Sequence, residues 1–161
     1  MFFSKLLTGL AMCCAIFAIT MQDLEAFIIK AKANTYVGQS ANLTFQEGQW
    51  RYRDTYFGGT DFLGQEVVWH DDIPVWAMNY YGRVLRNDLI DGARAGKVIR
   101  VSLTKLYAQG RFLGRFENDA DGYRYVDGDH GHIESFTGVE HIFASEVEAY
   151  RLDYHGGMIR A

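Results

Sequence analysis

Single carboxylates set among aromatic residues are the feature of this sequence most suited to chemistry. Asp54 shares one face of a predicted strand with Tyr52 and Tyr56, because alternate side chains of a strand project to the same side. Glu66 lies in the middle of the next strand, which is otherwise apolar. A carboxylate framed by aromatic rings suits a cationic or polyhydroxylated ligand. A partly buried carboxylate could instead act as a general acid or base, because burial raises its pKa.

Both carboxylates also have plain structural interpretations, which the sequence leaves open. Asp54 could form an ion pair with an arginine on a neighbouring strand, and Glu66 could be held by tyrosine and asparagine hydrogen bonds or face water. We hypothesise that both reach one pocket, where the charge of one would raise the pKa of the other. The candidate ligand-binding residues are Tyr52, Asp54, Tyr56, Glu66, Trp76, Asn79, Tyr80 and His155. Trp76 is also predicted to be a buried anchor of the sheet, and no catalytic residue is assigned.

A histidine pair near the C-terminal half raises the alternative of a metal site. His130, His132 and Glu134 would project from one face of a strand, and such nitrogen and oxygen ligands can bind zinc or iron. The same pattern is common on solvated sheet faces, however, and His130 lies in a glycine-rich segment. The sequence therefore predicts no metal site and no cofactor.

Size and charge limit the classes of function. A chain of 161 residues with 48% hydrophobic content is long enough for one sizeable core and short for two domains. The formal net charge is −4, and no cluster of lysine and arginine residues is present in the sequence. Because binding to phosphate backbones needs such a cluster, direct nucleic-acid binding is not expected.

Residues 1–20 differ from the rest of the chain. They carry one basic residue, Lys5, before an apolar run that has the length of a signal-peptide core rather than of a membrane span. The alternative is that Met21 is the true start. The predicted division is therefore an apolar leader at 1–20 and a single domain at 21–161. The chain is expected to be cytoplasmic if it starts at Met21, and exported or membrane-associated if residues 1–20 are retained.

The spacing of apolar residues predicts two helices and several strands. The first helix has an apolar stripe on one face, and Lys32 is expected to face water on the other. An Asp-Gly pair at 127–128 indicates a hairpin turn. No internal repeat is recognised. The predicted helices are Asp23–Ala33 and Asn87–Gln109, and the predicted strands are Gln49–Phe57, Phe62–His70, Pro74–Tyr81, Tyr123–Asp127, His132–Thr137 and Glu146–Tyr154.

These elements predict an α+β fold, a single antiparallel sheet of about five or six strands with two helices packed on one face. Adjacent strands joined by short turns favour a meander. The face that the helices leave uncovered is expected to be the aromatic, polar one, and so to hold the candidate pocket.

Three segments, YRDTYFGGTDFLGQEVVWHDDIPVWAMNYYGRVL, LYAQGRFLGRF and LDYHGG, resemble a bacterial and fungal family of domains of unknown function. The resemblance covers roughly residues 21–159. Members of that family occur alone or behind an XRE-type helix-turn-helix, as the C-terminal part of transcriptional regulators. The resemblance implies a cytoplasmic, sensor-like domain. This chain differs from the regulators because its sequence shows no helix-turn-helix.

The leading hypothesis for function is a non-catalytic domain that binds a small molecule, related to the C-terminal part of transcriptional regulators. One alternative is a small enzyme in which Glu66 and Asp54 form an acid/base pair. Another is a protein-interaction domain that forms a homodimer through its sheet. An enclosed pocket with converging polar groups would favour the first two, and an exposed apolar patch would favour the third.

Overall fold

The computed structural model describes residues 19–38 and 43–160. Nearly all of the predicted leader therefore lies outside the described residues. Within the described ranges, no helix has both the length and the apolar character needed to cross a membrane.

The described residues contain two helices, each followed by four strands. The elements are α1 (Met21–Asn34), β1 (Thr44–Glu47), β2 (Trp50–Gly58), β3 (Phe62–His70), β4 (Ile73–Val84), α2 (Gly92–Ala108), β5 (Phe116–Ala120), β6 (Tyr123–His132), β7 (Ser135–Ala144) and β8 (Val147–Met158). All strands pair in antiparallel fashion in one sheet with the order β1-β2-β3-β4-β8-β7-β6-β5.

The predicted number of strands is wrong, because the described sheet has eight strands rather than five or six. The two missed strands, β1 and β5, are the two edges of the sheet. Their sequences, TFQE and FENDA, are short and polar, so they lack the alternation that marks a half-buried strand. Pairing with β2 and β6 holds them in place instead of their own apolar content.

The predicted turn at 127–128 is also wrong. Asp127 and Gly128 lie inside β6, where they pair with Glu140 and Val139 of β7. The connection between these strands comes later, at residues 133–134. An Asp-Gly pair favours a turn only where the backbone adopts positive φ, and neither residue does so here.

The second helix is shorter than predicted, because it begins at Gly92 rather than Asn87. Asp91 caps it, with a side-chain oxygen that accepts a hydrogen bond from the Arg94 amide at 2.7 Å. Gly110, with φ of 71°, follows the helix end, where the positive φ favours glycine.

The order of elements reveals an internal repeat that the sequence analysis missed. The unit α1-β1-β2-β3-β4 is repeated as α2-β5-β6-β7-β8, and the two copies meet where β4 pairs with β8 in the centre of the sheet. The strands of the two copies pair in the same register, and identical residues occupy several of the equivalent positions. The equivalent pairs are Arg51 and Arg124, Tyr52 and Tyr125, Asp54 and Asp127, Phe62 and Phe136, Gly64 and Gly138, Glu66 and Glu140, Tyr80 and Tyr154, and Gly82 and Gly156.

Both helices pack on one face of the sheet, as predicted. On α1, Phe27 stacks on Trp50 of β2 with ring centroids 5.3 Å apart. On α2, Ser102 accepts a hydrogen bond from Asn118 of β5. The opposite face carries exposed apolar side chains, among them Phe57 and Leu63, which pair across β2 and β3.

Candidate functional site

A cavity of about 200 Å³ lies between the sheet and the two helices. Its walls come from α1, α2 and the strands of both copies of the repeat. The expectation that the pocket lies on the uncovered face is therefore wrong. The aromatic and acidic side chains of β2 lie on the face of the sheet that the helices cover. The apolar stripes of α1 and α2 are buried against this same face. The lining includes Lys32, Tyr36, Tyr52, Asp54, Tyr56, Glu66, Met78, Tyr80, Ile99, Leu103, Tyr107, Phe112, Asp127, Glu140, Tyr150, Leu152 and Tyr154.

The first copy of the repeat contributes a tyrosine, an aspartate and a glutamate to this cavity. Asp54 on β2 lies directly opposite Glu66 on β3, as the hypothesis of a common pocket requires. Tyr80 on β4 reaches over the intervening strand, and its hydroxyl donates a hydrogen bond to Asp54 Oδ1 at 2.6 Å.

Lys32 of α1 lies in this acidic site, although it was predicted to face water. It is only 5% exposed, and its Nζ lies 2.6 Å from Oε1 and 2.5 Å from Oε2 of Glu66. The same ammonium group lies 4.8 Å from the centre of the Phe112 ring. Lysines of an amphipathic helix are normally expected on the solvated face. The spacing of apolar residues therefore could not predict this ion pair.

The second copy contributes the same three groups. Asp127 on β6 lies directly opposite Glu140 on β7, and the Tyr154 hydroxyl donates a hydrogen bond to Asp127 Oδ1 at 2.7 Å. Sequence reasoning missed this half of the site, because it assigned Asp127 to a turn and Glu140 to a connection between strands. The recurring G-x-E and Y-x-G motifs were the signal that could have found it.

Two glycines let the tyrosines adopt this arrangement. A Cβ atom on Gly64 would lie 2.3 Å from the Tyr80 hydroxyl oxygen, and one on Gly138 would lie 2.1 Å from Cζ of Tyr154. Each tyrosine ring therefore crosses the neighbouring strand where a side chain is missing, which brings its hydroxyl to the aspartate on the next strand.

The part of the lining formed by the β2–β3 turn and the start of α2, beside the exposed Tyr56, is taken as the mouth of the cavity. Tyr56 at the end of β2 is 49% exposed, and Thr60 in the turn packs against Gly92 of α2. The Tyr36 hydroxyl donates to the Gly96 carbonyl oxygen at 3.3 Å, which joins the end of α1 to α2 beside the opening.

Comparison with protein families gives a match over residues 54–159, to a family described as a domain of unknown function, DUF5680. The chain belongs to the DUF5680 family. The matched part begins at Asp54 within β2, so it includes both Asp–Glu pairs and both tyrosines of the site. It leaves out α1 and Lys32. Comparison with curated proteins and with solved structures gave no significant match.

Burial raises the pKa of three carboxyl groups of this DUF5680 domain. Burial and then the charge of Glu66 raise the pKa of Asp54 to about 6. Burial raises the pKa of Asp127 to about 6, against the effect of the hydrogen bond from Tyr154. Burial and then the charge of Asp127 raise the pKa of Glu140 to about 8. Near neutral pH, Glu140 therefore keeps a proton that it would lose in water, whereas Asp54 and Asp127 are mostly ionised.

Three of the predicted site residues do not line the cavity of the DUF5680 domain. Trp76 is fully buried beside it, where Nε1 donates to the Ile133 carbonyl oxygen at 3.1 Å. Asn79 and His155 pair across β4 and β8, but they point to the uncovered face, where Asn79 accepts a hydrogen bond from Gln65. The cavity brings together the other five, Tyr52, Asp54, Tyr56, Glu66 and Tyr80.

The histidine pair at 130 and 132 lies at the end of β6, and Glu134 lies in the following turn. Across residues 19–38 and 43–160, the structure contains no cluster of three or more His, Cys, Asp or Glu side chains placed to hold a metal ion.

Proposed function

We propose that this DUF5680 domain binds a small molecule, without catalysing a reaction, in the cavity between its sheet and its helices. The observation that carries the proposal is that two copies of one Tyr–Asp–Glu arrangement converge on a single cavity. A core built only for stability gains little from several buried carboxyl groups, since each costs free energy to desolvate. Apolar walls with a few convergent polar groups are typical of ligand sites.

The cavity volume limits the size of the ligand. An apolar cavity of about 150 Å³ is known to hold benzene, so about 200 Å³ suits a molecule with one ring and a short chain. The mouth beside Tyr56 and Thr60 provides the route of entry.

We propose that the domain acts as a sensor, in line with the resemblance to the C-terminal part of transcriptional regulators. The support is the position of the cavity between α1 and α2. A ligand there would contact both helices at once and change how the Tyr36–Gly96 hydrogen bond holds them together. Such a change would pass the signal to a partner chain or an attached domain.

An acid/base enzyme is a second candidate, favoured by the raised pKa of Asp54. In this structure, however, Asp54 accepts a hydrogen bond from Tyr80 and Glu66 is paired with Lys32. A catalytic pair would need these partners to be displaced by substrate. The homodimer stays a prediction from sequence.

A series of one-ring probes tests the proposed function. The series consists of 2-phenylethylammonium, 2-phenylethanol and phenylacetate, which differ in charge and little in shape. Isothermal titration calorimetry with the wild-type domain should detect saturable binding of at least one of them. No binding of any of the three would contradict the proposal.

A variant that fills the cavity provides the matched control. A Cβ on Gly96 would meet only the Tyr36 hydroxyl oxygen, at 3.8 Å, so Gly96→Leu should place its side chain in free space at the mouth. The variant should fold, because leucine favours a helix more than glycine does, and it should bind the probe at least about tenfold more weakly. Unchanged binding would place the probe elsewhere on the molecule.

A further inference from the structure

We propose that the ligand is an organic cation, and that its ammonium group binds to Glu140 and Asp127 in the second copy of the repeat. This inference rests on the proposed function, since it names the ligand class and its position in the same cavity. It follows from a difference between the two copies of the site.

Among the described residues that line the cavity, the first copy provides a cation and the second does not. Arg111, whose charge also lowers the pKa of Asp127, lies against the Phe116 ring outside that lining. Lys32 of α1 neutralises Glu66. The buried positions Leu24, Phe27, Ile28 and Ala31 of α1 correspond to Ala95, Val98, Ile99 and Ser102 of α2. By the same spacing, Lys32 corresponds to Leu103, which also lines the cavity. The second copy thus has the acidic groups of the first and an apolar side chain in place of the ammonium group.

Glu140 consequently has an oxygen without a partner. The residue is 9% exposed, and no described residue forms a hydrogen bond with its Oε2. Oε2 of Glu66 likewise accepts no hydrogen bond, but it has the ammonium group of Lys32 at 2.5 Å. A nearby tyrosine, Tyr125, partly offsets the rise in its pKa, although the Tyr125 hydroxyl is not placed to form a hydrogen bond of good geometry. A buried carboxylate without a partner is strongly unfavourable. The Glu140 carboxylate is therefore stable in this cavity only if it is protonated or paired with a positively charged group.

The rest of the cavity fits a positively charged ligand. Among the described lining residues, Lys32 is the one basic side chain, against the four carboxyl groups of Asp54, Glu66, Asp127 and Glu140. An ammonium group has three N–H donors. The Tyr150 hydroxyl lines the same cavity and has no described hydrogen-bond partner. It lies over Gly82 of β4 beside the Phe62 ring, so it offers a polar contact to another part of the ligand. The tyrosine rings of the wall favour a cation further.

Cation binding should be linked to loss of a proton from Glu140. Asp127 and Glu66 raise the pKa of Glu140 through their negative charges, whereas Lys32 and the Tyr125 hydroxyl lower it, and burial dominates, so that the pKa is about 8. A cation stabilises the ionised form. Its affinity should therefore rise with pH between about 6 and 8, since less work is then needed to remove the proton.

The test compares the three isosteric probes at pH 8 by isothermal titration calorimetry. We expect 2-phenylethylammonium to bind at least about tenfold more tightly than 2-phenylethanol, the effect of a charge-assisted hydrogen bond. Phenylacetate should bind more weakly than both. Glu140→Gln should reduce the preference for the cation to less than about threefold. It should also remove the pH dependence between about 7 and 8, above the pKa of Asp127. Glu134→Gln, the same change on an exposed turn, should leave both unaffected.

A second variant transfers the lysine of the first copy into the second. Leu103→Lys should place an ammonium group beside Glu140 and abolish the preference for 2-phenylethylammonium, whereas Leu103→Met, of similar length but neutral, should retain it. Circular dichroism and thermal unfolding establish that each variant is folded. If Leu103→Lys does not fold, the pH dependence of the wild type and of Glu140→Gln still decides.

Two results would overturn the inference. One is equal or tighter binding of 2-phenylethanol or phenylacetate to the wild type, which would leave the proposed function intact. The other is a preference for the cation that survives in a folded Glu140→Gln variant, which would place the ammonium group away from Glu140. Failure of all three probes to bind would instead contradict the proposed function itself.

Discussion

Tyr80 and Tyr154 lie directly opposite each other on β4 and β8, the two central strands of the sheet. Their hydroxyl groups donate hydrogen bonds of 2.6 and 2.7 Å to aspartates on opposite sides of the sheet centre. The pair therefore marks the junction of the two copies of the repeat. It also means that each half-site has a matched counterpart in the same molecule, which makes paired variants informative.

Removing either tyrosine hydroxyl should change the acidity of its aspartate. The hydrogen bond from Tyr80 lowers the pKa of Asp54, so Tyr80→Phe should raise that pKa above its wild-type value of about 6. Tyr154→Phe should do the same for Asp127. Carboxyl-detected NMR titration measures both. Tyr81→Phe, at an exposed ring on the opposite face, serves as the control, and an unchanged pKa of Asp54 in Tyr80→Phe would contradict the hydrogen bond.

The glycines under the two tyrosine rings should resist substitution. Gly64→Ala and Gly138→Ala place a methyl group within 2.3 Å of ring atoms or the hydroxyl oxygen, so each should lower the free energy of unfolding by about 1–3 kcal/mol, the usual cost of overpacking. A Cβ on Gly128 would meet nothing within 4 Å. Gly128→Ala should therefore be almost neutral in urea unfolding. Equal effects at the three positions would show that the ring contacts do not matter.

Removing one partner of the Lys32–Glu66 pair should destabilise the fold more than removing both. Lys32→Met leaves the glutamate buried without its partner, which should cost about 3–5 kcal/mol in the free energy of unfolding. The double variant Lys32→Met with Glu66→Gln removes the uncompensated charge and should recover most of that loss. Denaturant unfolding of both variants measures these changes. A single variant as stable as the wild type would contradict the ion pair.

Stability should fall as the pH rises from about 4 to 8. The folded state holds protons on Asp54, Asp127 and Glu140 more tightly than the unfolded state does, because their pKa values are raised. In that window the folded state binds more protons, so raising the pH favours unfolding. Each unit of pKa difference contributes about 1.4 kcal/mol at most. Glu140→Gln should make the free energy of unfolding depend less steeply on pH. An equally steep loss in that variant would show that Glu140 is not one of the groups that titrate.

Part of this site could be predicted from the sequence, because strand alternation and turn position determine which residues face each other. The alternation in β2 predicted that Asp54 shares a face with Tyr52, and both line the cavity. A turn at Asp71-Asp72 limits the partner of Glu66 to Ala77, Met78 or Asn79, and the structure has Met78. The burial of Trp76 is likewise confirmed. These features depend on local periodicity, which a single sequence shows directly.

The remaining features depend on tertiary contacts that leave little local signal. β1 and β5 are strands because neighbours hold them at the sheet edges. Lys32 is buried because Glu66 lies across from the helix, and lysine is otherwise a surface residue. The repeat escaped notice because its identical residues are scattered through segments that otherwise differ, and they form a pattern only when the strand register is known.

The position of a bound cation distinguishes a site between the sheet and the helices from binding elsewhere on the molecule. Intermolecular nuclear Overhauser effects between the ring protons of 2-phenylethylammonium and the methyl groups of the domain would give it. We expect contacts to Met78, Ile99 and Leu103, which line the cavity. Contacts to Leu63 or Ile73, exposed and away from the cavity lining, or the absence of any contact at saturating probe, would contradict a binding site between the sheet and the helices.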